Sequence, residues 1–421
     1  MNIGDILAKK RDGRELTHEE IYFFIQGITH GTIPDYQASA WLMAVYLRGM
    51  TVGETLALTL AMRDSGERVP PYGSKRHPSL DKHSTGGVGD KTTLVVVPIL
   101  AAAGIPMLKM SGRGLGFSGG TVDKLESIPG FQSDRPIEAA LAQVRQIGAA
   151  LISQSATLVP ADKILYSLRD VTATIESVPL IASSIMSKKL AAGADVIVLD
   201  VKVGRGAFMK TRAQAETLAE ALMRIGRQAG VPTTAVLTEM NEPLGRTVGN
   251  ALEVREAWET LADPDASDTN FLKLCIELAS HGLEATGACS SLADGEKVAA
   301  DLLKSGKALN KFEEIVTAQG GDLSRLPIAT LKAEVYPTSA GTLSEIWADE
   351  IGKLAMTMGA GRQTKQDAID PATGIVFHSK AGSQVSTETP LATLHLREVD
   401  SNRVEEFTKA FLAACQISTP E

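Results

Sequence analysis

The sequence predicts an α/β protein with a helical segment in front of the main layer structure and a small α+β segment behind it. Three observations carry this. The first sixty-odd residues show helix-start signals, the middle alternates short apolar runs with Ala-rich stretches, and the last part is turn-rich with short runs. At 421 residues the chain is long enough for two or three domains and a large core.

Taken in order, residues 1–65 read as helices. Thr17-His-Glu-Glu20 and Thr51-Val-Gly-Glu54 fit the capping box, in which a hydroxyl and a Glu satisfy free amides at a helix start. Between them Tyr36 to Leu47 is rich in Ala, Leu, Met and aromatics, the texture of a buried helix. Pro70-Pro71-Tyr72-Gly73 then breaks the pattern and marks a linker. Beyond residue 78, Thr93-Leu-Val-Val-Val-Pro98 and Asp195 to Val203 read as buried strands. They alternate with helical stretches such as Ala213 to Gly230. A second helical stretch, Ala161 to Ala192, interrupts the alternation and is suited to pack back on the N-terminal helices. From Ala333 the chain turns to short antiparallel strands around Gly374 to Gly382, with a helix at Val404 to Ala414.

Charge and composition narrow the function. A net charge of −8 argues against a general nucleic-acid binder but leaves room for one local basic pocket. Cys275, Cys289 and Cys415 are scattered without C-x-x-C spacing, so neither a disulfide framework nor a zinc site is expected. No basic segment leads into an apolar run at the start, and no long apolar stretch follows. The expectation is a cytoplasmic protein with no membrane partner.

Three segments carry chemistry. Asp81-Lys-His-Ser-Thr-Gly-Gly-Val-Gly-Asp-Lys-Thr-Thr93 places Lys82, His83 and Ser84 beside glycines whose amides can approach an anion. The P-loop spacing is absent, so this is not a nucleoside-triphosphate cradle of that type. Lys109-Met-Ser-Gly-Arg-Gly-Leu-Gly-Phe-Ser-Gly-Gly-Thr-Val-Asp-Lys-Leu-Glu126 is a second glycine-rich segment. Its Gly114, Gly116 and Gly119 formally spell a dinucleotide fingerprint, but no acidic ribose partner follows at the usual distance. Two such segments rich in Ser, Thr and Lys favour an anion cradle over bare turns. The third, Tyr166-Ser-Leu-Arg169 through Ser183-Ser-Ile-Met-Ser-Lys-Lys189, sets Ser184 and Lys188 four apart on one helix face, with Arg169 able to join them. Such donors suit a ligand with carbonyl oxygens. Solvated surface cations are the plain alternative.

At these residues the chain resembles the thymidine and pyrimidine-nucleoside phosphorylase family. The likeness runs through Ser111–Glu126, Lys82–Asp90, Leu168–Thr174, Asp200–Phe208, Met240–Gly245, Gly249–Glu256 and Gly359–Arg362, in order and over nearly the whole chain. It implies a small all-helical domain (1–65 with 161–192) and a large α/β domain (75–160 with 193–330), with the active-site cleft between them. It also implies a C-terminal α+β domain (333–421), a homodimer, and no organic cofactor, inorganic phosphate being the co-substrate. The reaction expected is phosphorolysis of uridine, thymidine and deoxyuridine. By resemblance, Lys82, Ser84, Thr93, Ser111 and Thr121 bind phosphate, with His83, Lys109 and Met110 beside them. His83, Arg169, Ser184 and Lys188 hold the base, with Tyr166 and Lys109 in the substrate set. His83, Arg169 and Lys188 are the catalytic candidates. Lys109, where strict thymidine enzymes tend to carry Met, favours broad substrate range. A monovalent cation, K+, is implied at Gly89, Lys91, Leu244, Thr247 and Glu256, although Lys91 can itself neutralise Glu256. Phe117 and Ser118 depart from the family's Gly-His-Thr pattern, which bears on cleft closure or substrate range. The alternatives are an anthranilate-type phosphoribosyltransferase, which would need acidic Mg²⁺ ligands such as Asp123 and Glu126, and a non-catalytic binding protein on the same fold.

Overall fold

The computed structural model describes residues 1–114, 117, 119–155, 157–363 and 367–418. By internal packing the chain divides into two compact units. One comprises Met1–Gly73, Gln154–Ile197 and Glu216–Ala235, the other Ser74–Ser153, Val198–Ala215 and Val236–Glu421.

The first unit is built on helices Ile3–Arg11, His18–Thr29, Asp35–Arg48, Val52–Arg63, Pro160–Val171 and Val178–Ala191. Both capping boxes form as the sequence predicts: the Thr17 and Thr51 hydroxyls accept from the Glu20 and Glu54 amides, and those glutamates reach back. Glu54 does more than cap, because its carboxylate also takes the buried Lys10 ammonium at 2.7 Å. Phe24 stacks on Trp41 with ring centroids 4.3 Å apart. Val178–Ala191 packs on Val52–Arg63, tied by the Thr59 hydroxyl donating to Ser183 Oγ at 3.1 Å. The helix at Asp35–Arg48 is buried on one face only. Ala38, Trp41, Leu42 and Val45 face inward at helical spacing, while Tyr36 and Leu47 are exposed. Apolar composition marks the helix but does not fix how many of its sides are covered.

Leu80–Ser84, Val196–Val203 and Thr233–Glu239 form a sheet in that order, and in the second unit Met107–Ser111 runs parallel to Ala149–Ser153. The expected strand at Thr93–Pro98 is instead part of a helix, Thr92–Ala102. Helices Asn250–Ala262, Thr269–Ala285 and Lys307–Ala318 pack around it, and Thr92 through Ala101 are all buried. A segment apolar on every side shows neither period, so its Val run reads equally as strand or helix. Pro98 sits inside this helix, at the cost of one ladder hydrogen bond.

The C-terminal segment forms two antiparallel sheets. Thr247–Val248, Gly374–Phe377, Ala392–Leu396 and Leu331–Val335 make one, and Gln384–Val385, Gly341–Ile346 and Cys415–Ser418 the other. Helix Ser401–Ala413 contributes Phe407 and Phe411 to their shared core. Because Thr247–Val248 belongs to the α/β stretch yet pairs with Gly374–Phe377, the C-terminal sheet is stitched into the second unit. The three cysteines are free thiols, and no described helix is long and apolar enough to cross a membrane.

Candidate active site

In the second unit, strand Leu80–Ser84 lies beside Met107–Ser111, with the Leu80 amide donating to Pro106 O at 3.0 Å. Both strands end in serine and run into the two glycine-rich segments, the usual place for a ligand in an α/β protein. Successive residues point to opposite sides of a strand. Lys82 is wholly buried, whereas His83 and Ser84 are half-buried. The Lys82 ammonium donates to Thr92 Oγ1 at 2.6 Å and lies 3.5 Å from Asp200.

Asp90 ties this loop together. Its carboxylate accepts from the Ser84 hydroxyl at 2.5 Å and from the Thr92 hydroxyl at 2.7 Å. Burial opposes its ionisation, but the cations of Lys202, Lys82 and Lys124, with the Ser84 hydrogen bond, outweigh that and hold its carboxyl well below the usual carboxylate range. Lys202 in turn pairs with Asp200 at 2.8 Å, and Lys124 pairs with Glu253 at 2.8 Å while donating to Asp90 O. Asp90 therefore acts as the loop's internal anchor.

The remaining phosphate candidates divide. Ser111 is buried, and its hydroxyl has no hydrogen-bond partner among the described residues, leaving it unspent at the strand end. Lys109 is buried, donates to Met110 O at 2.8 Å and lies 3.8 Å from Asp81. Thr93 is buried on the helix, while its neighbour Thr92 makes the loop contacts. Thr121 is half-buried at the first position of helix Thr121–Glu126. Gly116 and Ser118 lie outside the described residues. Phe117 packs against the C-terminal core, with the Lys210 ammonium 5.9 Å from its ring centre. Asp123 and Glu126 fix local structure: Arg113 pairs with both, and Asp123 also takes the Gly114 amide at 2.7 Å and Arg362 at 3.0 Å.

The first unit carries the other cluster. The Lys188 ammonium donates to Ser184 Oγ at 3.1 Å, the four-residue spacing expected, and pairs with Asp162 at 2.6 Å. Arg169 is buried, and its guanidinium donates to the carbonyls of Thr174, Ile175 and Leu180. Burial lowers its pKa against the pull of Asp162, and its guanidinium stands 5.8 Å from the Tyr166 ring centre. Half-buried Tyr166 has its phenol pKa raised by burial.

The five residues expected to hold a cation do come together, but around Lys91. Its ammonium lies 2.7 Å from Glu256, 2.8 Å from Leu244 O and 2.9 Å from Thr247 O. The Gly89 carbonyl accepts from the Lys91 amide at 2.9 Å. As they stand, these residues do not fit a resident monovalent cation, because an ammonium already takes the acceptors.

Several residues that matter here were missed by sequence reasoning. Asp200 and Lys202 carry a readable signal, two charges at i, i+2 on one side of an otherwise apolar strand. Asp162 has none, since its partner is 26 positions away. A cavity of about 1320 Å³ in the second unit, lined by residues including His281, Trp347 and Lys380, touches the expected set only at Leu244.

Comparison with known proteins matches three domain models along the chain. Residues 76–309 match the glycosyl transferase family's α/β domain, residues 4–66 its helical bundle domain, and residues 342–418 the pyrimidine nucleoside phosphorylase C-terminal domain. The chain is 48% identical to a pyrimidine-nucleoside phosphorylase of Bacillus subtilis over 96% of this chain and 94% of that protein. It is 46% identical to one of Geobacillus stearothermophilus over 100% and 98%. Among solved structures, anthranilate phosphoribosyltransferase from Thermus thermophilus shares the fold at TM-score 0.59 and 22% identity, over 74% of this chain and 98% of that one.

Proposed function

The chain belongs to the pyrimidine-nucleoside phosphorylases of the glycosyl transferase family, and from that premise we propose that it cleaves uridine, thymidine and deoxyuridine reversibly to free base and pentose 1-phosphate. The observation that supports this reading best is chemical: each unit carries one cluster, and the two differ in kind. The second unit offers an anion loop with an unspent Ser111 hydroxyl, and the first a Lys188–Ser184 pair suited to carbonyl oxygens.

In the proposed reaction, phosphate held by the glycine loop attacks C1′ of the sugar as the base departs from the opposite face. The departing base gathers negative charge on its carbonyl oxygens and N3. Lys188 stabilises that charge by exchanging Asp162 for the base, and Arg169 adds a fixed positive field nearby. Half-buried His83 donates a hydrogen bond or proton to the leaving base. No covalent intermediate on the protein is required. The homodimer and the closing of the domains on a single substrate belong to the same proposal, closure serving to exclude competing water.

The test is purified protein with uridine or thymidine, with and without phosphate, following free base by absorbance. Base released only with phosphate is the expected result. Release without phosphate, or none with either nucleoside, would remove the reading.

A further inference from the structure

Lys91 follows the phosphate loop directly, precedes the buried helix Thr92–Ala102, and is itself buried. A lysine out of water is stable only with its charge matched and its protons taken. Here an ammonium with three protons meets three acceptors, Glu256 Oε2, Leu244 O and Thr247 O. The Phe271 ring lies on another side, its centre 5.3 Å away. Glu256 is held in turn, its Oε1 accepting the Arg246 amide at 2.6 Å and its Oε2 the Thr247 hydroxyl at 2.5 Å.

The backbone closes tightly around this point. Gly89 has φ +73, and a Cβ there would stand 2.6 Å from Leu244 O. Gly245 has φ +72, and its Cβ would stand 2.3 Å from Glu256 Oε1 and 2.9 Å from Lys91 Nζ. The carboxylate and the two carbonyls that an ion would need are already held by the ammonium. One carboxylate also cannot neutralise two cations held this close.

We propose that Lys91 is a built-in cation: its ammonium does the work that the family resemblance assigns to K+, tethering the phosphate loop to the Leu244–Glu256 segment. The protein therefore folds and turns over without any monovalent metal ion. Removing the lysine chain while keeping Glu256 and the two carbonyls opens a site that K+ fills. This rests on the proposed function only in giving the tethered loop its phosphate; the cage itself is indifferent to which nucleoside is cleaved.

The experiment compares thermal unfolding of the wild type, Lys91→Thr and Lys91→Met in potassium chloride and in choline chloride at equal concentration. Phosphate KM is measured alongside for each active protein. The wild type is expected to unfold at one temperature in both salts, with one phosphate KM. Lys91→Thr should unfold several degrees lower in choline and recover in potassium, with its phosphate KM recovering in step. Lys91→Met fills the space without charge and should be destabilised in both salts. Potassium-dependent stability or KM in the wild type would overturn the proposal, as would a Lys91→Thr that potassium fails to rescue. Should neither variant fold, the wild-type comparison still decides. The unfolding readout needs no turnover, so an inactive protein that is potassium-insensitive would break the phosphorylase reading and leave this one standing.

Discussion

Lys82, Lys124 and Lys202 of the second unit are wholly buried, whereas the Lys188 side chain of the first is 23% exposed. The buried lysines are locked to Asp200, Glu253 and the Asp90 loop. Lys188 holds one carboxylate and one hydroxyl at the edge of solvent, where partners can be exchanged cheaply. The difference suits the two jobs proposed. Phosphate is the same ligand in every turnover, so its loop can be fixed in advance. The base changes charge during the reaction, so the group that answers it has to be able to switch partners.

The sharpest way to break this comparison is Lys188→Ala. It should lower turnover by about 100–1000-fold, the usual cost of losing one electrostatic donor to a developing charge. Steady-state kinetics should show phosphate KM nearly unchanged. Arg169→Ala is a blunter probe, because it also strands the carbonyls of Thr174, Ile175 and Leu180.

Next is Asp90→Asn, which should cost about 2 kcal/mol of stability, as hydrogen bonds to charged groups do, and raise phosphate KM. Its pH dependence has a definite sign. The folded carboxyl titrates well below the usual range and the unfolded one at about 3.9, so the unfolded state binds the extra proton. The stability gap between wild type and Asp90→Asn should hold from neutral pH down to about 4 and close below it. Unfolding temperatures across a pH series check this; a gap already closing near neutral pH would show that the carboxylate is not held ionised.

Ser111→Ala should be milder and more telling. It removes a buried hydroxyl with no described partner, so stability should stay level or rise, while phosphate binding weakens by up to about tenfold. A variant that loses stability instead would mean the hydroxyl serves the fold. The smallest effect is expected at Lys109→Met, because that ammonium is already engaged by Met110 O and near Asp81. The uridine-to-thymidine rate ratio should move only a few-fold, and an unchanged ratio would remove Lys109 from the specificity set.

Local devices were readable in the sequence because their partners are close in the chain. The capping boxes at Thr17–Glu20 and Thr51–Glu54 and the Ser184–Lys188 pair all fall within one helical turn. Thr93–Pro98, inside the Thr92–Ala102 helix, reads as a strand because complete burial erases the period that tells the two apart. Arg169 was identified by type, but its acceptors are backbone carbonyls, which every residue has and no sequence advertises. Asp90 stood inside the first glycine segment, yet its role depends on Lys124 and Lys202, brought close only by the fold.

The claim that the two clusters are separate is tested most directly by calorimetric titration of inorganic phosphate, without nucleoside, into the wild type, Ser111→Ala and Lys188→Ala. The account predicts weakened binding in Ser111→Ala and wild-type binding in Lys188→Ala. Equal loss in both would contradict it, since phosphate would then depend on the cluster assigned to the base.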